Sequence, residues 1–516
     1  MSTADERGTR TARWRRTLVL TAVFVCAACG LVYELALVAL GSYLLGNTIT
    51  QASVVLALMV FAMGIGSLVA KPLTRHAAVG FAVVEIVLAA VGGTSVLVLY
   101  AAFAWWSLYQ PVLVVLALVI GLLIGAEIPL LMTLLQRIRR QEASSAVADL
   151  FAADYVGALL GGLAFPFVLL PWLGLLEGTA VVGAVNAAAG AAVALGLFRA
   201  DVRRALRVAL AAGLAVVMVA LGLVATQASA FETTARQRIF RDPVVVAERS
   251  PYQEIVVTRS LRGDDTRLFL NGDLQFSSLD EYRYHEALVH PAMAGPHARV
   301  LVLGGGDGLA SRELLRYKDV RSITLVDLDP AVVRLASTDA TLRRLNHDAF
   351  ADPRLHAVHA DAFTWLRANQ QQFDVVVADM PDADDVATAK LYSVELYGLV
   401  RRALAPGGRV VVQAGSPYFA RQAYWTTAAS LRTAGLSPTP YHVDVPSFGD
   451  WGYFLAAPGQ APPVRMPVGA PSTRFVDSGV LAAAGVFPRD RAPLRLAPST
   501  LLDPRILQRQ GDWRGY

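Results

Sequence analysis

The residues best suited to chemistry stand at the ends of predicted strands in the C-terminal half. Residues 300–308 read VLVLGGGDG, a buried strand followed by three glycines and an acid. Further acids follow at or near the ends of later apolar stretches: Asp327, Asp361, Asp379 and Asp382. A glycine loop of this kind presents backbone N–H groups to a nucleotide-like ligand, and an acid about 20 residues later typically binds ribose hydroxyls. The pattern predicts a nucleoside site lined by carboxylates; a tight turn without a ligand is the alternative.

Alternating strands and helices must position these acids. Strands are predicted near 298–304, 322–328, 355–360, 373–379, 408–414, 438–445 and 451–457, with helices between the first six. This order is typical of a doubly wound, Rossmann-like parallel sheet closed by an antiparallel hairpin, and ligands bind outside the carboxyl ends of such strands. One solvated loop acid means little, whereas four strands each ending at or near an aspartate favour one shared site.

A small antiparallel β unit is predicted before this sheet, over residues 242–296. Three short apolar stretches precede the turn-forming pair Asn271–Gly272. Two polar clusters accompany them, SPYQ at 250–253 and DEYRYHE at 280–286. The second could simply be a charged first helical turn. Its density of aromatic and acidic residues favours the lining of a pocket.

The N-terminal half is predicted to be a helical membrane domain. The chain has 516 residues and is 55% hydrophobic, and the apolar excess lies before residue 228. Seven apolar runs, each long enough to cross a bilayer, fall near 18–45, 52–71, 78–102, 109–134, 147–170, 178–198 and 206–228. Frequent glycine and alanine favour a compact bundle, and we interpret Cys26 and Cys29 as packing residues.

The predicted organisation therefore has six parts. They are a basic N-terminus (1–16), a transmembrane domain (17–228), a connector (229–241), the β unit (242–296), the Rossmann-like domain (297–458) and a C-terminal tail (459–516).

Basic residues alternate between the loops of the membrane domain. Arg7, Arg10, Arg13, Arg15 and Arg16 precede the first run, and later groups are Lys71 with Arg75, Arg137 with Arg139 and Arg140, and Arg199 with Arg203, Arg204 and Arg207. Loops near 46–51, 103–108 and 171–177 have no Lys or Arg. The positive-inside rule predicts a cytoplasmic N-terminus.

Five acids lie within the predicted spans: Glu34, Glu85, Glu127, Asp149 and Asp154. They could form a site for a cationic molecule, because acids in a bundle must face its interior, bind a cation or stay protonated. They could also be hydrated near the helix ends or hydrogen-bonded to neighbouring helices, and we favour this structural interpretation. The net charge of +5 comes without a basic run interleaved with aromatics, so no nucleic-acid partner is predicted.

An ordered set of motifs resembles the polyamine aminopropyltransferases, specifically spermidine synthase. The set is SPYQ, DEYRYHEA, VLVLGGGDG with Glu313 after it, VDLD, DAF and VADMPDAD followed by LYS, over residues 243–458. The apolar N-terminal half is similar to a membrane-attached bacterial branch of that family. The resemblance implies transfer of an aminopropyl group from decarboxylated S-adenosylmethionine to putrescine, giving spermidine and methylthioadenosine. It implies a cosubstrate, with no cofactor and no metal.

The resemblance also assigns roles to individual residues. Asp379 would remove a proton from the attacking amine, and Asp382 would help to hold the diamine. Asp307 would face the aminopropyl ammonium, and an aspartate there would repel the carboxylate of intact S-adenosylmethionine. The remaining residues implied in substrate or cosubstrate binding are Gln253, Tyr284, His285, Gly304, Gly305, Gly306, Asp327, Asp361 and Ala362.

Within that list, Asp327 would bind the ribose hydroxyls and Asp361 with Ala362 the adenine. Gln253 would contact the nucleoside, and Tyr284 with His285 would lie nearer the amine.

Two departures from the family pattern concern the acceptor amine. Phe448 stands where a tyrosine is common, and Val386 stands near the place of a proline.

Two other functions stay open at this stage, a methyltransferase that uses intact S-adenosylmethionine and a non-catalytic polyamine sensor that regulates transport. An assembly of several copies is also open. Seven crossings from a cytoplasmic N-terminus would put the catalytic half outside, although its donor is a cytoplasmic metabolite; we favour the outer face and leave the side unresolved.

Overall fold

The computed structural model describes residues 3–45, 48–138, 143–240 and 242–509. The chain divides into two compact units, Met1–Arg241 and Asp242–Tyr516. Arg139 and Arg140, which the charge analysis used, lie outside the described residues, as do the side chains of Arg7, Arg10 and Arg13.

The first unit is entirely helical in its described parts. Its helices are α1 (Thr3–Leu45), α2 (Thr48–Val69), α3 (Ala77–Ala101), α4 (Tyr109–Ile138), α5 (Ala143–Ala164), α6 (Leu170–Ala191) and α7 (Arg204–Ile239). Among the described residues, six helical segments are long and apolar enough to cross a membrane. The predicted connector at 229–241 continues α7 as far as Ile239.

One of the six segments has the length of two crossings. It covers Val147–Leu197, 51 residues, or about 77 Å if it were one straight helix, against about 30 Å of hydrocarbon. Gly174, inside the predicted loop at 171–177, breaks the helical geometry with φ 70° and ψ −171°. Both sides of the break pack on α1, and α6 packs in addition on α3 and α7. The seven predicted spans and the six helical segments therefore describe the same helices, because the segment Val147–Leu197 contains two of the predicted spans.

The acids of the bundle have different surroundings. Asp149 forms an ion pair with Arg16, as expected for an acid near a helix end. Glu85 and Glu127 are 0% and 5% exposed, so hydration at the rim does not account for them. Glu85 accepts a hydrogen bond from Asn186 on a neighbouring helix.

The second unit begins with a four-stranded antiparallel sheet. Its strands, in the order they pair, are β1 (Val244–Arg249), β2 (Glu254–Arg259), β3 (Thr266–Leu270) and β4 (Asp273–Ser277). Asn271 and Gly272 connect β3 to β4 with positive φ angles of 51° and 91°, the conformation that tight hairpins require.

A seven-stranded sheet follows, with helices between its strands. Its strands are β5 (Arg299–Gly304), β6 (Ser322–Asp327), β7 (Leu355–His359), β8 (Phe373–Asp379), β9 (Leu404–Gln413), β10 (Leu436–Val445) and β11 (Gly449–Pro458). The order is β10-β11-β9-β8-β5-β6-β7. Strands β5 to β9 are parallel, and the final hairpin of β10 and β11 is antiparallel. The predicted fold class is confirmed.

Ten α-helices complete the second unit as far as residue 509. They are α8 (Glu281–Val289), α9 (Leu309–Leu315), α10 (Pro330–Thr338), α11 (Ala340–Leu345), α12 (Ala362–Ala368), α13 (Val386–Ala389), α14 (Val394–Ala403), α15 (Arg421–Thr433), α16 (Ser478–Ala484) and α17 (Arg505–Arg509). The central strands are runs of Val and Leu that are buried on both faces, as parallel strands between two helical layers must be.

The C-terminal tail packs onto this unit. The Glu286 carboxylate accepts hydrogen bonds from the backbone N–H groups of Arg474, Phe475 and Val476, at 2.7, 2.8 and 3.0 Å. The indole N–H of Trp425 donates to the Arg491 carbonyl at 3.0 Å. Glu286, one acid of the predicted pocket lining, therefore anchors the tail.

Candidate active site

The candidate site lies where the sheet changes direction. The chain runs from β5 outward to β7 and then returns to the other side of β5 as β8, so the carboxyl ends of β5 and β8 diverge into separate loops. Gly304 pairs with Asp379 across this junction, and the Gly305 N–H donates to the Asp379 carbonyl at 3.1 Å. In doubly wound sheets, this junction is where ligands bind.

Two glycines of the loop cannot carry a side chain. A Cβ on Gly304 would come 2.0 Å from the Asp379 carbonyl oxygen, and the φ of Gly304 is 79°. A Cβ on Gly306 would come 2.6 Å from Oδ2 of Asp327. The loop thus brings its backbone against the acids at the ends of both neighbouring strands.

Asp379 ends β8 and is held by a tyrosine. The Tyr284 hydroxyl on α8 donates to Oδ1 of Asp379 at 2.6 Å, and Tyr284 is 7% exposed. Burial raises the pKa of Asp379 above its ordinary value, while His285 and the Tyr284 hydrogen bond lower it in part. A carboxylate with a raised pKa and a fixed orientation can accept a proton from a bound amine.

His285 supplies positive charge beside the acids. Its Nδ1 lies 3.0 Å from Oε2 of Glu281 and 2.8 Å from the Glu281 carbonyl oxygen. Burial alone would lower the pKa of His285. The neighbouring acids, first Glu281 and then Asp307 and Asp379, outweigh the effect of burial and raise the pKa. The raised pKa favours the imidazolium form of His285, and a positive charge there would offset the charges of the two aspartates.

A buried arginine fixes Glu281 in turn. Arg312 on α9 donates from Nη1 to Oε1 and from Nη2 to Oε2 of Glu281, at 2.8 and 2.9 Å. Arg312 also donates through Nε to Oε1 of Glu313 at 3.0 Å. Bidentate pairs of this kind fix both partners. Glu281 and Arg312 thus hold His285 in place from behind the site.

Asp307 lies in the glycine loop, and its carboxylate interacts electrostatically with His285 and Asp379. Its Oδ1 accepts a hydrogen bond from the Leu309 N–H at 2.8 Å. Burial raises the pKa of Asp307, His285 lowers it, and repulsion from Asp379 raises it again. Two neighbouring carboxylates beside one imidazolium favour the binding of a cation.

Asp382 belongs to a second acidic group in the loop after β8. Gln413, at the end of β9, donates from Nε2 to Oδ1 of Asp382 at 3.2 Å and lies 2.6 Å from the Tyr392 hydroxyl. Burial, followed by repulsion from Asp384 and, less strongly, from Asp273, raises the pKa of Asp382 to about 7. A bound ammonium group would restore the charged form of Asp382.

Two other predicted residues, Asp327 and Gln253, lie at the end of β6. Asp327 accepts from the Gly306 N–H through Oδ2 at 3.0 Å and from the Asp329 N–H through Oδ1 at 2.8 Å. Gln253 donates to Oδ2 of Asp329 at 3.0 Å, and Asp329 also caps α10. Gln253 therefore reaches this end of the sheet through Asp329 rather than through Asp327.

Asp361 and Ala362 lie at the next strand end, at the start of α12. The Ala360 N–H donates to the Asp327 carbonyl at 3.0 Å, which brings this turn beside Asp327. The Asp361 carboxylate caps α12 through the Thr364 N–H at 2.8 Å and accepts from Nζ of Lys390 at 2.6 Å. Burial alone would raise the pKa of Asp361, but Lys390 and Thr364 lower it.

Aromatic rings close the side of the site next to Tyr284. Phe448 lies edge-on to the Tyr284 ring at a centroid distance of 5.9 Å, and it packs on Trp451 at 4.9 Å. Tyr453 lies 5.6 Å from Tyr284. Phe448, one of the departures from the family pattern, thus belongs to this wall and brings no hydroxyl to it.

The predicted residues therefore fall into three groups. Asp379, Tyr284, His285 and Asp307 are joined by hydrogen bonds and electrostatics at the β5–β8 junction. Asp382 stands in the following loop with Gln413, and Asp327, Gln253, Asp361 and Ala362 surround the ends of β6 and β7. Sequence reasoning missed Gln413 and Arg312 as parts of the site, and it included Glu281 and Tyr392 only as members of the DEYRYHE and LYS motifs, without a role of their own. A polar residue ending a buried strand was the signal for Gln413, whereas nothing in the spacing links Glu281 to Arg312.

The comparisons with known proteins cover nearly the whole chain. The family model for the spermine/spermidine synthase domain matches residues 281–465. Polyamine aminopropyltransferase 1 of Streptomyces coelicolor is 60% identical over 509 residues, 98% of this chain and 96% of the relative. Polyamine aminopropyltransferase of Mycobacterium tuberculosis is 50% identical over 519 residues, 98% of each chain. A solved spermidine synthase from Thermotoga maritima is 24% identical, covers 48% of this chain and 84% of its own, and gives a TM-score of 0.44. On the identity and coverage of its full-length relatives, the chain belongs to the polyamine aminopropyltransferase family.

Proposed function

We propose that this chain transfers the aminopropyl group of decarboxylated S-adenosylmethionine to putrescine, giving spermidine and methylthioadenosine. The observation that carries the proposal is the Asp379 carboxylate, half-buried at the β5–β8 junction, oriented by Tyr284 and close enough to Asp307 for the two charges to repel each other. The donor is a cosubstrate, and the proposed reaction uses no cofactor.

The reaction requires little more than alignment of the two reactants and removal of a proton from the attacking amine. The amine nitrogen attacks the aminopropyl carbon bonded to the sulfonium sulfur, and a C–N bond forms as the C–S bond breaks. The electron pair of that C–S bond returns to sulfur, which leaves as the neutral thioether of methylthioadenosine. Asp379 takes the proton that the attacking amine loses. Alignment of the two reactants and a fixed base supply most of the rate enhancement.

Charge selects both reactants. Asp307 stabilises the ammonium of the aminopropyl group and repels a carboxylate at the same place. Asp382, oriented by Gln413, accepts a hydrogen bond from the far ammonium of the diamine. In the aromatic wall, Phe448 leaves the amine pocket without one hydroxyl, which favours a short diamine with no further group to bind there.

The adenosine moiety would occupy the ends of β6 and β7. The carboxylate of Asp327 has lone pairs left for ribose hydroxyls, because each oxygen accepts one backbone N–H. Gln253 would contact the nucleoside from the β1–β2 turn, and the backbone at Asp361 and Ala362 would border the adenine.

We further propose that the helical unit is a multi-pass membrane domain with a cytoplasmic N-terminus. The charge alternation and the break at Gly174 support seven crossings. A Gln371→Cys variant in a background lacking Cys26 and Cys29 tests the side of the catalytic unit. With seven crossings, an impermeant maleimide labels intact cells; labelling only after lysis would contradict the seventh crossing.

The test of the reaction is an Asp379→Asn variant of the full chain. The amide keeps the shape and can still accept from Tyr284, so methylthioadenosine binding should persist while turnover falls by about 10²-fold or more. The matched control is Asp374→Asn, on the same strand, where the carboxylate accepts from the Arg299 N–H instead. Spermidine and methylthioadenosine are measured by mass spectrometry. Near wild-type turnover by Asp379→Asn would refute the assignment of the base.

A further inference from the structure

The helical unit contains a polar cluster that the proposed reaction does not use. It consists of Cys26 on α1, Glu85 on α3, Glu127 on α4 and Asn186 on α6. The four side chains are buried, with exposed fractions of 1%, 0%, 5% and 0%. Four different helices contribute one residue each, so the cluster depends on how the bundle packs rather than on any single helix.

The donor atoms of the cluster converge. Sγ of Cys26 and one carboxylate oxygen each of Glu85 and Glu127 all lie within 4.8 Å of one another. Ligands around one tetrahedral zinc ion, at bond lengths of about 2.0–2.3 Å, stand about 3.4–3.7 Å apart. A small inward movement of side chains would bring the three atoms onto one ion.

Several of these atoms have no partner. Within the described part of the chain, Oε1 of Glu85, Oε1 of Glu127 and Oδ1 of Asn186 are buried and accept no hydrogen bond. Asn186 donates from Nδ2 to Oε2 of Glu85 at 2.7 Å. Its unpartnered Oδ1, on the same amide group, is one further oxygen beside the cluster. A buried oxygen left without a partner costs about 1–3 kcal/mol, which a ligand would recover.

Packing fixes Glu85 in this place. A Cβ on Gly190 of α6 would come 2.5 Å from the Cβ of Glu85, so α6 approaches as closely as a glycine permits. Gly190 and Asn186 are four residues apart and share one helix face. The same face of α6 therefore supports Glu85 sterically and orients its carboxylate, as outer-shell residues do at metal sites.

We propose that Cys26, Glu85 and Glu127 form a binding site for a divalent transition-metal ion of the zinc class. A dication offsets the charge of two carboxylates that would otherwise be buried without a cation. The thiol directs the choice away from Mg²⁺ and Ca²⁺, which take oxygen ligands in larger number. On binding, Cys26 releases its proton and ligates as the thiolate. Asn186 Oδ1 or a water completes the coordination.

The second cysteine of α1 provides a matched control. Cys29 lies three residues further on and is also buried. Its Sγ lies 3.7 Å from the Val182 carbonyl oxygen and is not one of the converging donor atoms. A thiol-to-hydroxyl change at Cys29 therefore alters the same helix without altering the site.

The experiment uses the full chain in detergent, with any affinity tag removed and bound metal stripped by a chelator. Co²⁺ is titrated in, and the near-ultraviolet thiolate-to-cobalt absorption is recorded with the metal content per chain. We expect one Co²⁺ per chain with that absorption, displaced by Zn²⁺. Cys26→Ser removes the absorption, Glu85→Gln and Glu127→Gln each weaken binding by 10-fold or more, and Cys29→Ser changes neither.

Three results would overturn the proposal. They are a wild-type chain that takes up no Co²⁺, Co²⁺ bound without the thiolate absorption, and an absorption that survives in Cys26→Ser but not in Cys29→Ser. The far-ultraviolet circular dichroism of each variant in detergent verifies that the helical unit is folded. Because the wild-type titration decides by itself, a variant that fails to fold leaves the test intact.

Discussion

Removal of the Tyr284 hydroxyl should shift the acidic limb of the pH–rate profile upward. The hydroxyl donates to Oδ1 of Asp379 at 2.6 Å in a buried environment, and it stabilises the ionised carboxylate. A hydrogen bond to a charged group contributes about 1.5–3 kcal/mol, and about 1.4 kcal/mol corresponds to one pKa unit. The pKa of Asp379, already raised by burial, should therefore rise by about 1–2 further units in Tyr284→Phe.

The sign follows from the role of the base. Asp379 accepts a proton only when ionised, so kcat/KM for putrescine falls as pH drops through its pKa. In Tyr284→Phe that fall should begin about 1–2 units higher, while the plateau at high pH stays within about 10-fold of wild type. The assay is the initial rate of methylthioadenosine release at each pH, with donor and acceptor varied in turn.

Tyr441→Phe is the matched control for this prediction. Tyr441 is also buried, but its hydroxyl donates to the Ala287 carbonyl at 2.9 Å. Its profile should keep the wild-type midpoint. An unmoved acidic limb in Tyr284→Phe, or a loss of rate equal at every pH, would refute the reasoning that links Tyr284 to the ionisation of Asp379.

Three further predictions concern the loop, the amine pocket and acid stability. Gly304→Ala should lose nucleoside binding or fold poorly, because its Cβ would meet the Asp379 carbonyl oxygen at 2.0 Å with φ at 79°; normal methylthioadenosine affinity by calorimetry would contradict this. Asp382→Asn should raise the KM for putrescine by about 10–100-fold and leave the KM for the donor unchanged, as expected for one charge-assisted hydrogen bond; equal changes in both would argue against an amine role. Burial opposes ionisation of Glu313, but His290, Arg312 and Arg316 hold its pKa at about 2. Its contribution to stability, on the order of 3 kcal/mol, should be present above pH 4.5 and disappear as pH falls toward 2, so thermal unfolding of Glu313→Gln should depend less on pH over that range.

The sequence was sufficient for features that depend on local pattern. Apolar runs and glycines predicted the strands that end at Asp327 and Asp379, and the parallel order brought those ends to one edge. The end of one apolar run near 170 and the start of the next near 178 predicted a loop at 171–177, where the structure has the break at Gly174. These features follow from periodicity and turn chemistry, which adjacent residues determine.

Contacts between distant residues could not be predicted in the same way. Glu281 and Arg312 are 31 positions apart, and only the packing of α8 on α9 brings them together. Asp361, implied at the adenine, also binds Lys390, 29 positions later. The DEYRYHE cluster divides by function for the same reason: Tyr284 and His285 face the site, whereas Glu286 holds the tail. Side-chain direction on one helix depends on what packs against each face.

The most direct test of the proposed function compares the two sulfonium donors. The half-buried Asp307 favours an ammonium and disfavours a carboxylate, and like charges placed together cost several kcal/mol, which corresponds to about 10²-fold or more in kcat/KM. With putrescine present, decarboxylated S-adenosylmethionine should yield spermidine and methylthioadenosine, and intact S-adenosylmethionine should yield no comparable product. Asp307→Asn should narrow the difference. Methyl transfer from intact S-adenosylmethionine at a comparable rate would contradict an aminopropyltransferase.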